Sequence, residues 1–102
     1  MLTEKTLVQS KPSTKGIIFT ATERTIVKCI MFTNNSAGSV SVTLWADADG
    51  TNGNDENLIF AGYSFPTKIS TVRNVFLVLE IGGTITAEGT GGSVTISGAE
   101  LL

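Results

Sequence analysis

Hydrophobic and polar residues alternate with a period of two along much of this chain, and that period predicts strands rather than helices. Residues 40–46 show it most cleanly, with Val40, Val42, Leu44 and Ala46 on one face and Ser41, Thr43 and Trp45 on the other. Residues 24–33 are rich in β-branched and apolar side chains on both faces, as in the middle strand of a sheet. Between the two runs lie Asn34, Asn35, Ser36, Ala37 and Gly38, a turn-forming cluster. Residues 24–46 are therefore predicted to form an antiparallel hairpin at the centre of the fold.

The same pattern recurs on either side. Residues 16–20 and 58–63 read as strands, and residues 68–72 as a weaker extended segment. Residues 74–80 are apolar on both faces, which predicts a second central strand. Two more alternating runs, 84–88 and 93–97, are set off by Gly82, Gly83 and the cluster Gly89, Thr90, Gly91, Gly92. Residues 1–15 are polar apart from Leu2, Leu7 and Val8, and are expected to be an N-terminal arm or edge strand. The remainder, 16–102, forms one domain of seven or eight short strands. The predicted class is all-β: an antiparallel β-sandwich, jelly-roll-like.

Composition narrows the partners. Of 102 residues, 41% are hydrophobic and 16% charged. That is too apolar for disorder and poor enough in charge to leave surface for subunit contacts. Net charge is −2, and the seven basic residues are spread singly. No basic stripe exists to neutralise phosphates, so nucleic acid is not an expected partner. Neither is a membrane, because no apolar run approaches the ~18–20 residues that span one. A single cysteine, Cys29, falls in an apolar strand and reads as a small buried hydrophobe. With no basic-plus-apolar leader, the chain is expected to be made and matured in a reducing cytoplasm.

Chemistry is sparse. Histidine is absent, which removes the commonest general base and metal ligand and every Ser–His or Cys–His pair. Phosphate-cradling glycine motifs are missing too. The expectation is a protein that is not an enzyme and needs no cofactor. One loop gathers carboxylates: Asp47, Asp49, Asp55 and Glu56 lie within ten residues, among Asn and Gly. Oxygen ligands around glycine turns suit calcium. Counted from Asp47, however, Asn52 stands where an EF-hand loop needs glycine and Leu58 where it needs the bidentate glutamate. The loop is a weak calcium candidate and otherwise a solvated turn. Trp45 projects from the polar face of its strand. It is either an anchor for a partner, as aromatics often are, or covered by a loop, the arm or Phe65 of its own subunit. Tyr63 and Phe65, beside Pro66, carry the same two readings.

Several of these stretches together resemble a family. They are Ile26-Val27-Lys28 through Asn34, Ser41-Val42-Thr43-Leu44, Asp49-Gly50 and Asn57-Leu58-Ile59 in the first half. In the second half they are Phe76-Leu77-Val78-Leu79-Glu80, Gly82, Thr84-Ile85-Thr86-Ala87 and Val94-Thr95-Ile96-Ser97-Gly98-Ala99-Glu100. The pattern is similar to the small β-sandwich virion proteins of tailed bacteriophages, which serve as capsid cement (decoration) or as head–tail and tail components. It departs from them at Thr20-Ala21-Thr22-Glu23, where a Pro-Ala-Gly-like turn is frequent, and at Gly83, where aspartate is common.

The resemblance implies a non-enzymatic subunit on the outer capsid surface, bound to the major capsid protein or other virion subunits. It further implies self-association, with a trimer favoured. Two rivals stand beside it: a neck, tail or fibre-associated subunit, and a calcium-dependent adhesion or carbohydrate-binding module using the acidic loop.

Overall fold

The computed structural model describes residues 2–35, 37–47, 58–66 and 68–101, and for 58–63 the backbone alone. Eight strands follow in order: β1 (Leu2–Ser10), β2 (Gly16–Thr20), β3 (Arg24–Asn34), β4 (Val40–Asp47), β5 (Leu58–Phe65), β6 (Ile69–Leu79), β7 (Thr84–Gly89) and β8 (Ser93–Leu101). They form two four-stranded sheets, ordered β1-β8-β3-β6 and β2-β7-β4-β5. Every pairing is antiparallel. Eight strands that cross between two sheets in this order make a jelly roll, the sandwich class expected from the alternation.

The core lies between the sheets. From the first come Val27, Ile30, Phe32, Leu79, Val94 and Ile96; from the second come Val40, Val42, Leu44, Phe65, Ile85 and Ala87. Burying each of the larger of these stabilises the fold by roughly 1.5–3 kcal/mol. The alternation in β4 is realised, since Val40, Val42 and Leu44 all face inward.

Residues 24–46 are not a hairpin. β3 belongs to the first sheet and β4 to the second, so the chain passes from one sheet to the other between them. Asn34 fixes that corner: its buried Nδ2 donates to the carbonyls of Gly38 at 2.8 Å and Phe65 at 3.3 Å. Hairpin chemistry and corner chemistry use the same residue types, because both need a tight polar turn. What sends β4 to the opposite sheet is the set of apolar faces that must meet across the core.

β3 lies between β8 and β6, as its two apolar faces predict. Its register slips between Val27 and Cys29 against both neighbours. Thr25 and Val27 point inward before the slip, and Ile30, Phe32 and Asn34 after it. The bulge therefore moves the inward set to the other parity, one reason the strand reads as apolar throughout.

β6 departs from expectation twice. It is continuous over Ile69–Leu79, merging the weak segment with the strong one. It is also the outer strand of its sheet and not a central one. Val75, Leu77 and Leu79 pack toward the core, while Val72 and Phe76 face outward and stay exposed. Both faces are apolar, but among the described residues only one is covered.

Candidate interaction surface

The outer face of the first sheet is built by the outward parity of β6, β3, β8 and β1. On β6 that parity carries Val72, Asn74, Phe76 and Val78; on β3 it carries Ile26, Cys29 and Met31. Phe76 is 72% exposed and Val72 51%, and Met31 is also exposed. At one end Leu2, Arg24, Ile26, Val78 and Leu101 line a shallow apolar cleft. Arg24 closes that end through Glu80, with Nε 3.3 Å from Oε2. A second ion pair, Lys28 to Glu4 at 3.2 Å, lies on the same face beside Thr6, Cys29 and Ser97. Both pairs are solvent-facing and add little stability. Exposed apolar side chains gathered on one sheet face, rimmed by charge, are the make-up of a contact surface.

Sheet edges differ in how they are protected. β1 carries Glu4 and Lys5, the latter paired with Glu100 at 3.1 Å, and β2 is only five residues long. Charge and shortness are the usual devices that keep an edge from pairing further. β6 has neither. It is eleven residues long, has Arg73 as its one charged residue, and among the described residues no strand pairs on its far side.

The second sheet's outer face is of another kind. Trp45 shares it with Thr86, its β7 partner, and Asp47 shares it with Thr84. All four are buried, and Trp45 is only 7% exposed. The Lys15 ammonium lies 4.4 Å from the indole centroid, a cation–π contact that roofs the ring from within the chain. Trp45, read as a candidate anchor, is thus covered by the segment leading into β2. Phe65 is 2% exposed, its ring 5.6 Å from that of Phe32, and belongs to the core. It points inward because it pairs with Val40 on the core face of β4. Tyr63 pairs with Val42 through the backbone, and its side chain lies outside the described residues.

Of the acidic loop, Asp47 ends β4 and is buried, while Asp49, Asp55 and Glu56 lie outside the described residues. Among the described residues no three acidic or cysteine side chains gather where they could hold a metal. Nor is any helix there long and apolar enough to cross a membrane.

Among the described residues the exposed aromatic is Phe76, which sequence reasoning placed in a central strand. One signal could have found it: Val72, Phe76 and Val78 share parity with Asn74 and Ser70, and a strand buried on both faces seldom carries two polar residues on one of them.

No family model matches the chain, and no curated protein matches it in sequence. A solved structure does share its fold. A chain of the T13 particle of infectious bursal disease virus superposes with a TM-score of 0.55 at 10% identity, over 95% of this chain and 30% of the viral one. Chains of the Gx strain (TM-score 0.48, 14% identity, 97% and 30% covered) and of the VP2 subviral particle (0.49, 12%, 95% and 32%) are weaker matches. This chain spans about a third of the length of each. At 10% identity the likeness to the T13 particle chain concerns the fold alone.

Proposed function

We propose that this chain is a non-enzymatic structural subunit of a virion, and that it works by adhesion. The observation that carries this is the uncovered apolar face of the first sheet, centred on Val72 and Phe76. A face of that composition gains by being covered, at roughly 25 cal/mol for each Å² of apolar area removed from water. The jelly-roll fold, which a chain of an icosahedral virus particle shares, supports the assignment without deciding it, since one fold hosts many functions.

Within that class the chain is a capsid cement protein of a tailed bacteriophage, seated on the outer capsid surface against the major capsid protein. Repeated copies bridging neighbouring coat subunits would turn weak contacts into firm attachment by avidity. The test is quantitative composition of purified particles. Hundreds of copies per particle, and capsids that expand or burst more readily without the chain, support cement. A few to dozens of copies point to a neck or tail subunit instead. Absence from particles refutes a virion role.

A further inference from the structure

We propose that β6 is a self-pairing edge, through which two copies of this chain join antiparallel across a local twofold axis into one continuous eight-stranded sheet. Three observations select a second copy as the occupant. First, among the described residues β6 is the longest edge, eleven residues against eight for β5, the other edge with little or no charge, and it lacks the protection of β1 and β2. Second, one register fits it against itself end to end. Its eleven residues, Ile69–Leu79, centre on Asn74, so the register that opposes Asn74 to Asn74 of the second copy uses the whole strand.

Third, that same register pairs the exposed residues with each other. Val72 falls opposite Phe76 of the second copy, and Phe76 opposite Val72, on the outer face where both are now exposed. Aromatic and β-branched pairs of this kind are favourable across strands. Arg73 falls opposite Val75 of the second copy, so the two arginines are not directly opposed. A foreign strand would have to supply a matching sequence, whereas a second β6 has it already. The contact is isologous and closes at two copies. A threefold assembly would need a different surface.

This pairing goes beyond the virion assignment and can fail without it. Sedimentation of the purified chain over a concentration series up to ~100 µM detects any association in the micromolar range. The expected result is reversible doubling of the 10.7 kDa chain mass. Phe76→Asp, at a position already exposed, should leave the circular dichroism of the fold intact and return the chain to a monomer. Register is tested with Asn74→Cys in a Cys29→Ser background, because Cys29 is the neighbour of Asn74 on β3. Opposed Cα atoms in an antiparallel pair lie about 4.5–5.5 Å apart, within disulfide reach. Mild oxidation should link that variant into covalent pairs, while Ser70→Cys in the same background should not link. A chain that stays monomeric throughout overturns the proposal. So does an oligomer, trimer included, that survives Phe76→Asp, or cross-linking as efficient at position 70 as at 74.

Discussion

Gly98 passes directly beneath the Ile26 carbonyl: a β-carbon built on Gly98 would land on that oxygen and crowd the Ile26 carbonyl carbon and the Val27 Cα. The cause is the bulge in β3. Gly98 pairs with Val27, the last residue before the register slips, and there the two backbones come closer than a side chain permits. Backbone cannot step aside as a flexible side chain can. Gly98→Ala is expected to cost about 3 kcal/mol or more, at the upper end of overpacking penalties. Gly38→Ala has nothing within 4 Å to meet and should stay within about 0.5 kcal/mol of wild type. Denaturant midpoints of the two variants check the contrast.

Asn34 ties the corner between the sheets to the end of β5. Replacing it with alanine removes both amide bonds and leaves the Phe65 carbonyl short of a donor in a buried setting. A loss of about 1–3 kcal/mol is expected. Asn34→Asp, which keeps the shape but replaces the donor with a carboxylate facing two carbonyls, should be at least as damaging. Equilibrium unfolding of both variants provides the test.

Trp45 is the chain's one tryptophan, so its fluorescence reports its surroundings without ambiguity. Lys15→Ala removes the ammonium above the indole and should shift its emission to the red, at a stability cost of at most about 1 kcal/mol. Trp45→Ala removes a large buried side chain and should cost about 3 kcal/mol or more. An emission maximum already at the water-exposed value in the wild type would refute the burial.

Phe76 and Phe32 make a matched pair of opposites. Phe32→Ala opens a hole in the core beside Phe65 and is expected to cost about 3–5 kcal/mol. Phe76→Thr, which keeps a strand-forming residue at an exposed site, should change stability by no more than about 0.5 kcal/mol. The same Phe76→Thr variant should bind particles less well. Thermal unfolding and particle co-sedimentation measure the two properties separately.

These residues also show what could be read from the sequence. Alternation in 40–46 placed Val40, Val42 and Leu44 on the core face, and the sandwich class followed from the number and spacing of such runs. Periodicity is a property of one strand, so it reports which residues share a face but not which sheet the strand joins. That is why residues 24–46 read as a hairpin although β3 and β4 lie in opposite sheets. The interaction surface was harder. Trp45 and Phe76 both present an aromatic ring, and their strands were told apart by local polarity alone. Lys15, thirty residues from Trp45 in sequence, covers one of them, whereas the other stands exposed, with no cover among the described residues. An apolar strand face signals only that it avoids water; whether its cover comes from the same chain is decided by topology.

The central claim is that the outer face of the first sheet seats this chain on a virus particle. An electron-microscopy map of purified particles, with the chain located in it, tests that most directly. The predicted result is many copies over the capsid, with Val72 and Phe76 buried against a neighbouring subunit. Particles that lack the chain, or that hold it with Phe76 turned to solvent, would contradict it.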